Sequence, residues 1–292
     1  MNRKYDVVIV GAGPAGLSAA LYLGRAKVKT LVIDKDYPGG QVIMSPLLEN
    51  IPGRKSGPGV ELAEDLLSQL SAYSSVEIEE YTEVMGIDEA DGVCYTTINA
   101  STVVESDYVI VASGAAPIQL LTEDVGGIHY CVTCDGAFYE GKTTAVIGGG
   151  NSAMQYALEL TKYCPKVYIC TDQNRLYGEE SVCNRVLNNS QIEVKYNFAV
   201  SNIVERDGRK ALVGADELVV DGVFVAIGYK PSTNFIICDK DNRGYITTRP
   251  NLTIPGFENV YAIGDCRKKA HSQVAIAMAD GCEVALDIIK KL

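Results

Sequence analysis

The sequence predicts an α/β protein made of two Rossmann-like, three-layer domains, with the second domain inserted into the first. Three observations lead to this prediction. A strand, a glycine-rich turn and a helix open the chain, and the same order returns near its middle. A late apolar strand followed by a helix then closes the chain. Strands that alternate with helices in this way are typical of doubly wound parallel sheets.

The opening strand is Lys4–Val10, an almost continuous apolar run that is typical of a buried parallel strand. The turn G-A-G-P-A-G, Gly11–Gly16, follows it, and residues 17–26 have helical spacing. A second strand, Lys29–Ile33, then leads to Asp34. This order of elements is a complete dinucleotide-binding fingerprint.

Each position of the fingerprint has a physical task. Gly11 makes the tight turn, Gly13 lets the backbone approach a pyrophosphate, and Gly16 lets the helix pack closely on the strand. The helix N-terminus offers free N–H groups and a positive dipole to the phosphates. Asp34 follows after about twenty residues, where a carboxylate accepts hydrogen bonds from ribose hydroxyls.

The pattern returns in the second half of the chain. Thr143–Ile147 is a predicted strand, Gly148–Ala153 (G-G-G-N-S-A) is the turn, and Met154–Tyr163 is helical. Lys166–Cys170 is the next strand. Either this second unit binds a nucleotide, or it is a Rossmann-like fold that binds none, and the residues alone leave both open.

The C-terminal region supplies the remaining elements. Val219–Ile227 reads as one apolar strand, and Asn259–Cys266 as another that ends in Gly-Asp. A helix over Gln273–Lys291 is expected to return the chain to the first sheet. The predicted domains are therefore residues 1–114 with 244–292, and an inserted domain of residues 115–243. Glycines and prolines, which interrupt helices and strands, lie near the two points where the chain passes between the predicted domains, at Gly114, Pro117, Gly244 and Pro250.

Composition narrows the classes of function. A net charge of −11 and a pI near 4.8 disfavour general nucleic-acid binding, which needs basic surface. The uncharged stretch Val7–Gly24 is broken by glycines and a proline, so a membrane span is not expected. Nine scattered cysteines favour the reducing cytoplasm. Most are expected to be buried or half-buried free thiols, namely Cys94, Cys164, Cys170, Cys183, Cys238, Cys266 and Cys282.

The remaining two cysteines form the motif C-V-T-C-D-G, Cys131–Gly136. A metal ligand pair, a structural disulfide and a redox dithiol all use this spacing. Zinc needs about four ligands, and only His129 lies near in a sequence without a second C-x-x-C pair, so no metal is expected. His129 itself is expected to be a surface loop residue.

Together, these motifs make the chain resemble the low-molecular-weight thioredoxin reductases along nearly its whole length. The residues that carry the resemblance are Gly11–Gly16, Pro38–Gln41 (P-G-G-Q), Glu49–Gly53 (E-N-I-P-G), Cys131–Gly136, Gly148–Ala153, Val220–Gly228 (V-D-G-V-F-V-A-I-G) and Tyr261–Asp265 (Y-A-I-G-D).

The resemblance implies FAD on the first unit and a homodimer. Residues that match Gly40, Gln41 and Asn50 touch the flavin or its ribityl chain in the family. The other side of the flavin is closed by residues that match Gly264, Asp265, Gln273 and Val274. The same comparison adds Pro14, Ala15, Lys35, Ala112 and Gly114 to the expected cofactor site.

The resemblance also assigns roles around the cysteine pair. It makes the pair a redox dithiol in which Cys134 faces the flavin and Cys131 attacks the disulfide of the substrate, thioredoxin. Asp135 matches the family's proton donor, and its position next to Cys134 suits a general acid for the departing thiolate. A helix cap is the alternative role for Asp135.

The sequence differs from the family pattern in the segment that normally binds the 2′-phosphate of NADPH. A His-Arg-Arg cluster is replaced by Thr171, Asp172 and Gln173, and Tyr177 stands in place of a further arginine. Arg175 is the basic residue left nearby. The loss of two or three charge-assisted contacts, each worth roughly 1.5–3 kcal/mol, is expected to weaken NADPH binding at least about a hundredfold.

Two explanations remain for this departure. Asp172 can bind ribose hydroxyls, which gives an NADH-dependent enzyme, or the second domain has lost its role toward the donor. Ser272, before Gln273, also stands where the family usually has arginine. In these features the chain resembles the ferredoxin-dependent, pyridine-nucleotide-independent flavin thioredoxin reductases. Arg267–Lys269 is the candidate basic patch for docking ferredoxin.

The sequence thus predicts a cytoplasmic, FAD-dependent thioredoxin reductase that takes its electrons from ferredoxin. NADH- or NADPH-dependent thioredoxin reduction is the first alternative. A flavin-binding sensor or oxidase is a second, against which the C-x-x-C motif counts. A reductase of the alkyl hydroperoxide reductase type is a third, but that type carries an extra N-terminal dithiol domain, whereas this chain begins directly at the first strand.

Overall fold

The computed structural model describes residues 3–99, 101–120 and 125–292 of the chain. The helices are α1 (Pro14–Arg25), α2 (Gly59–Leu70), α3 (Val132–Asp135), α4 (Asn151–Leu160), α5 (Glu180–Leu187) and α6 (Val274–Lys291), with 3₁₀ turns at Gly40–Met44, Gly136–Tyr139 and Gly264–Cys266. The strands are β1 (Arg3–Val10), β2 (Thr30–Ile33), β3 (Val76–Glu79), β4 (Val84–Ala90), β5 (Val93–Ile98), β6 (Thr102–Val111), β7 (Ala115–Pro117), β8 (Ile128–His129), β9 (Thr143–Ile147), β10 (Lys166–Cys170), β11 (Ile192–Lys195), β12 (Asn202–Arg206), β13 (Arg209–Val213), β14 (Glu217–Val220), β15 (Gly222–Val225), β16 (Tyr229–Pro231) and β17 (Val260–Ala262).

The chain divides into two compact units. The first comprises Met1–Ala116 and Lys230–Leu292, and the second comprises Pro117–Tyr229. Strands β7 and β16, which form a two-stranded sheet, lie where the chain passes from one unit to the other. The first division falls close to the predicted 114/115 boundary, whereas the second falls well before the predicted 243/244 boundary.

The second boundary differs because residues 230–243 pack into the first unit. Ile236 is 1% exposed and belongs to the same core as Ile246 and Ile254. The Nζ of Lys240 donates hydrogen bonds to the carbonyls of Thr233 (2.6 Å) and Ile236 (2.8 Å). The breaker residue Gly244 therefore marks a turn inside this unit.

The first unit is built on a seven-stranded sheet in the order β3-β2-β1-β6-β5-β4, with β17 also paired to β6. Strands β1, β2, β3, β6 and β17 are parallel, and β4 and β5 form an antiparallel extension. The predicted return of the late strand to the first sheet is confirmed, because Tyr261 is in register with Ile110 of β6.

The sheet of the first unit is covered on both faces. Alternate residues of β1 serve different cores, with Ile9 in the layer formed with α1 and α6, and Val8 in the opposite layer. Helices α1 and α6 pack closely, since a Cβ atom on Gly281 would lie 2.2 Å from the carbonyl oxygen of Ala15. The C-terminal helix is therefore part of the layer that carries the first glycine turn.

The second unit contains a parallel five-stranded sheet in the order β11-β10-β9-β15-β8 and an antiparallel sheet of β12, β13 and β14. The prediction of one strand over Val219–Ile227 is wrong. The chain turns at Asp221, whose carboxylate accepts hydrogen bonds from the backbone N–H of Thr143 (2.8 Å) and from Nε of Arg209 (2.9 Å). These bonds fix the corner at which the chain leaves one sheet for the other.

The predicted fold class, an α/β protein with two Rossmann-like domains, is confirmed. Both turn helices begin earlier than predicted, α1 at Pro14 and α4 at Asn151. Proline suits the first helical position, where its missing N–H costs nothing. Within the described residues, no helix has the length and apolar character needed to cross a membrane.

Candidate active site

The first glycine turn lies at the carboxyl edge of the parallel strands. Gly11 directly follows β1, and its φ of +111° is a left-handed conformation that glycine tolerates. A Cβ atom there would lie 2.4 Å from the carbonyl oxygen of Ala112, the residue after β6. The turn therefore sits at the switch point of the sheet, where α/β folds bind their ligands.

The next glycines of this turn differ in the space around them. A Cβ atom on Gly16 would lie 1.9 Å from the carbonyl oxygen of Gly11, so only glycine fits there. A Cβ atom on Gly13 would find only the Cα of Gly40 within 4 Å, at 3.8 Å. No side chain in the described part of the chain caps the N-terminus of α1. Gly13 thus borders an open cradle at a helix N-terminus, which suits a pyrophosphate.

Asp34 is held in place beside this cradle. Its Oδ2 accepts a hydrogen bond from the backbone N–H of Ala12 (2.6 Å), and its Oδ1 accepts one from the N–H of Asp36 (2.9 Å). Burial raises the pKa of the Asp34 carboxyl, although both hydrogen bonds act in the opposite direction. Each carboxylate oxygen retains a further lone pair for a ribose hydroxyl.

Some of the predicted residues from distant parts of the first unit contact one another. Nδ2 of Asn50 donates a hydrogen bond to Oε1 of Gln273 at 3.1 Å, across 223 residues of sequence. A Cβ atom on Gly264 would lie 2.9 Å from the Cβ of Ala15. The other predicted positions are at the start of α1 (Pro14), after β2 (Lys35), in the 3₁₀ turn that begins at Gly40 (Gln41), after β6 (Gly114) and at the start of α6 (Val274).

The predicted basic docking patch is wrong. Arg267 is bound by the buried Asp280, through Nε–Oδ2 and Nη2–Oδ1 contacts of 2.9 and 2.7 Å. The side chain of Lys269 is 6% exposed and its Nζ lies 2.8 Å from Oδ1 of Asp265. Only Lys268 of the three is exposed, because the other two charges neutralise carboxylates of their own unit.

The cysteine pair lies in the second unit as a disulfide between Cys131 and Cys134. Helix α3 makes a single turn, in which Sγ of Cys131 accepts a hydrogen bond from the N–H of Cys134 (3.1 Å). Cys131 is 5% exposed, whereas Cys134 is exposed. Tyr130, the residue before Cys131, is hydrogen-bonded to α4, because the hydroxyl of Tyr156 donates to the carbonyl of Tyr130 (2.9 Å).

A histidine contacts the carboxylate of Asp135, the residue that follows Cys134 in the sequence. Nδ1 of His129 lies 3.0 Å from Oδ2 of Asp135, and Nε2 lies 2.7 Å from the hydroxyl of Tyr139. The imidazole also stacks on Phe224 of β15, with ring centroids 5.2 Å apart. The prediction of a surface loop residue at His129 is therefore wrong, and no capping hydrogen bond is seen for Asp135.

The second glycine turn is covered by an aromatic ring. A Cβ atom on Gly150 would lie 3.2 Å from Cε2 of Tyr177, and one on Gly149 would lie 2.8 Å from its Cε1. The N–H of Tyr177 donates to the carbonyl of Gly149 at 2.9 Å. The backbone N–H of Glu179 donates to Oδ1 of Asn151 at 2.7 Å, which places this acidic residue at the start of α4.

Most positions that replace the family's phosphate-binding cluster are exposed. Asp172, Gln173 and Arg175 all lie at the surface of the loop after β10. Thr171 is buried, and its Oγ1 would lie 2.5 Å from a Cβ atom on Gly149. The sequence shows that tyrosine replaces arginine at position 177, but it does not predict that the ring of Tyr177 contacts Gly149 and Gly150.

The other cysteines are free thiols, as predicted. Cys94, Cys164, Cys170 and Cys266 are buried, and Cys183, Cys238 and Cys282 are half-buried. Burial raises the pKa of the Cys94 and Cys170 thiols to about 12 and that of Cys266 to about 11. These thiols stay protonated near neutral pH and react slowly, because the thiolate is the nucleophile.

We expect alkylation to separate the bridge from the buried thiols. Iodoacetamide at about pH 7.5 should leave Cys94, Cys170 and Cys266 unmodified in the folded protein. Brief reduction beforehand should add Cys134, which is exposed, as a rapidly labelled position, whereas Cys131, which is 5% exposed, should be labelled more slowly. Peptide mass spectrometry measures both outcomes, with denatured protein as the control for full labelling. Rapid labelling of Cys266 in the native state would contradict the burial described above.

Comparison with known proteins places these features in a family. The profile of the family described as pyridine nucleotide-disulphide oxidoreductase matches residues 5–281. A 34.2 kDa protein in the rubredoxin operon of Clostridium pasteurianum is 34% identical, over 98% of this chain and 96% of its own length. The thioredoxin reductase of Listeria monocytogenes is 33% identical, over 96% of this chain and 91% of its own. The crystal structure of the T. acidophilum thioredoxin reductase covers 99% of both chains at 32% identity, with a TM-score of 0.91.

Proposed function

Since this chain belongs to the pyridine nucleotide-disulphide oxidoreductase family and is a flavin disulfide oxidoreductase, we propose that it reduces the disulfide of thioredoxin. The electrons come from reduced ferredoxin through FAD and reach the Cys131–Cys134 bridge before they pass to thioredoxin. The observation that carries the proposal is the Cys131–Cys134 disulfide, which is followed in the chain by Asp135, whose carboxyl group contacts His129.

The first unit fits FAD on its own geometry. The open cradle at Gly13 and the N-terminus of α1 suit the pyrophosphate, and Asp34 suits a ribose. Asn50 and Gln273, which are hydrogen-bonded to each other, would hold the flavin end. When bound, FAD supplies a site that accepts electrons and passes them on in pairs.

The chain's own groups carry out the thiol chemistry. Reduction of the bridge breaks the S–S bond, and the two sulfurs take up two electrons and one proton, which gives one thiol and one thiolate. Asp135 gives a proton to the departing sulfur, and Cys131 as thiolate attacks one sulfur of the substrate disulfide. Attack by Cys134 on the resulting mixed disulfide restores the bridge and releases the second substrate thiol.

The proposal of a donor other than NADPH or NADH is supported by Tyr177. The second glycine of a dinucleotide turn lets the backbone approach the pyrophosphate, and in this chain the ring of Tyr177 lies against that glycine, Gly150. The corresponding Gly13 in the first unit has only Gly40 near it. Glu179 adds a negative charge at the N-terminus of α4, where a phosphate would need a positive field.

Two further properties belong to the proposal. The resemblance implies a homodimer, which sedimentation of the purified protein measures. The seven free thiols suit a reducing compartment, so we expect the protein to act in the cytoplasm. Because Arg267 and Lys269 are engaged by carboxylates, the docking face for ferredoxin must lie elsewhere on this acidic chain.

Anaerobic titration of the flavin tests the donor. We expect stoichiometric reduced ferredoxin to bleach the oxidised flavin band, while NADH and NADPH at micromolar concentrations leave it unchanged over the same time. NADPH should bind at least about a hundredfold more weakly than a donor held by three charge-assisted contacts. Faster bleaching by either nicotinamide nucleotide would refute ferredoxin dependence but leave the disulfide chemistry intact.

The variant Tyr177→Ala separates the covered turn from the missing phosphate contacts. Removing the ring uncovers Gly149 and Gly150, so NADH should bind at least about tenfold more tightly, which is about 1.4 kcal/mol. Because the 2′-phosphate contacts are still absent, NADPH should gain less than NADH. Fluorescence titration of the dinucleotide measures both, with Tyr37→Ala as an exposed-tyrosine control in the first unit.

A further inference from the structure

The side chains of His129, Asp135 and Tyr139 form a polar cluster in the segment that contains the disulfide. Its three polar side chains form one chain of contacts, with 3.0 Å between Nδ1 of His129 and Oδ2 of Asp135 and 2.7 Å between Nε2 and the Tyr139 hydroxyl. The side chains of His129 and Asp135 are 20% and 29% exposed. Both side chains are therefore partly accessible to solvent, and the imidazole links the carboxyl group of Asp135, the residue after Cys134, to the hydroxyl of Tyr139.

We propose that His129 and Tyr139 are positioning residues for Asp135, which orient its carboxyl group and resupply the proton that it gives to the sulfur of Cys134. This inference rests on the proposed redox role of the Cys131–Cys134 bridge. It concerns a histidine and a tyrosine that the resemblance to known reductases did not assign.

The orientation of the imidazole is fixed by packing. His129 stacks on Phe224, and the Tyr139 ring meets Phe224 edge to face at 5.6 Å between centroids. A Cβ atom on Gly222 would lie 2.1 Å from Cε1 of Tyr139, so the tyrosine ring lies directly on this glycine. With both rings held, each imidazole nitrogen keeps one partner.

Tyr139 stays a neutral phenol throughout. Burial raises the pKa of its hydroxyl, and the negative charges of Asp135 and Asp221 raise it further. A neutral phenol both donates and accepts, so it pairs with Nε2 whether or not that nitrogen carries a proton. This property makes the contact compatible with both neutral tautomers of the histidine.

The proton transfer balances without a charged histidine. While Asp135 is a carboxylate, Nδ1–H donates to it and Nε2 accepts from Tyr139. The S–S bond breaks on uptake of two electrons, which a bound flavin would supply, and one sulfur leaves as a thiolate. The Tyr139 hydroxyl then gives its proton to Nε2 and takes one from solvent, the Nδ1–H bond breaks as Oδ2–H forms, and this proton passes to the sulfur as S–H. Loss of the Nε2 proton to solvent and uptake of a proton at Nδ1 return the imidazole to its first tautomer.

Other titratable groups around the cluster bear on any pH dependence. These groups are Cys164, whose Sγ is 3.3 Å from the carbonyl oxygen of Tyr139; Asp221; Lys142, 5.5 Å from the Tyr139 ring centroid; and Lys210 beside Gly127, with its partner Glu205.

Thiol–disulfide exchange of the pre-reduced holoprotein tests the proposal without ferredoxin or thioredoxin. The bridge is reduced with dithiothreitol, the reagent is removed, and the rate with dithiodipyridine is followed from about pH 6 to about pH 9. We expect His129→Phe, which keeps the stacking on Phe224, to slow closure of the bridge about tenfold near pH 7 and to change the pH profile. Tyr139→Phe, which removes a single oxygen, should slow it about threefold.

The chain contains two histidines, so nitrogen NMR of the imidazoles is simple to assign. In the oxidised wild type at about pH 9, His129 should carry its proton on Nδ1, and Asp135→Ala should release that preference. His271, exposed in the first unit, is the internal reference. Circular dichroism checks that each variant is folded.

Three outcomes decide the inference. A folded His129→Phe variant with the wild-type rate and pH profile overturns it. If that variant does not fold, Tyr139→Phe and the wild-type spectrum decide, and a proton on Nε2 of His129 in the wild type overturns it. A wild-type bridge that dithiothreitol cannot open would instead refute the proposed redox function, which keeps the two failures distinct.

Discussion

Replacement of either Cys131 or Cys134 by serine is expected to reduce thioredoxin turnover at least about a thousandfold, which is about 4 kcal/mol in the barrier. A serine hydroxyl cannot form the bridge, so electrons have no path from the flavin to the substrate. FAD content should remain that of the wild type, because both cysteines lie in the second unit and the proposed cradle in the first. Turnover with thioredoxin and the flavin absorbance of the purified variants measure the two properties separately.

The two serine variants also distinguish the roles of the sulfurs. If Cys131 attacks the substrate, Cys134→Ser should accumulate a mixed disulfide with thioredoxin, and Cys131→Ser should not. The exposures in the structure are the reverse of this order, since Cys131 is 5% exposed and Cys134 is exposed. A stable adduct on Cys134 alone would reverse the assignment, and Cys183→Ser, a half-buried thiol away from the bridge, is the control. Wild-type turnover in either bridge variant would favour a flavin protein with no dithiol chemistry.

Two alanine substitutions in the first glycine turn are expected to fail in different ways. Gly16→Ala places a Cβ atom 1.9 Å from the carbonyl oxygen of Gly11, so the helix and strand must separate. We expect a loss of about 3 kcal/mol or more in the free energy of unfolding and no FAD uptake. Gly13 has φ −76° and only Gly40 nearby, so Gly13→Ala should cost about 1 kcal/mol.

The two variants should differ in stability, because Gly13→Ala is expected to stay folded and to lose affinity for FAD alone. Although Gly13→Ala is folded, its methyl group occupies the approach of the pyrophosphate and should weaken FAD at least about tenfold. Denaturant unfolding of the apoprotein and fluorescence titration with FAD provide the two measurements. Normal FAD affinity in Gly13→Ala would show that the pyrophosphate does not approach this glycine, and a stable Gly16→Ala would contradict the packing at Gly11.

The first glycine turn was predictable because its residues determine the local geometry of the backbone. Gly11 needs a left-handed backbone and Gly16 a contact shorter than any side chain allows, and both requirements are met within one strand–turn–helix unit. The second turn carries similar letters, but its environment depends on the loop after β10. The ring of Tyr177 reaches Gly150 only through the fold of that loop, which no local pattern specifies.

The histidine cluster was hidden for a similar reason. His129 and Tyr139 are ten residues apart, and their contact exists because β8 pairs with β15, which brings Phe224 beneath both rings. Likewise, Gly244 was a reasonable linker signal, but local propensity does not report that Ile236 joins the core of the first unit. Long-range packing decides these positions, whereas local chemistry decides the glycine turn.

The division of the first unit into two separate stretches has a consequence for biosynthesis. A ribosome releases the N-terminal strands early, but β17 and helix α6, which supplies Val284 and Ile288 to the core, emerge after the insert. The intervening 117–229 segment is complete well before them and can mature while its host is unfinished. Nascent chains stalled before residue 274 should therefore hold a folded insert on an incomplete first unit, which stays exposed to proteases until α6 has emerged.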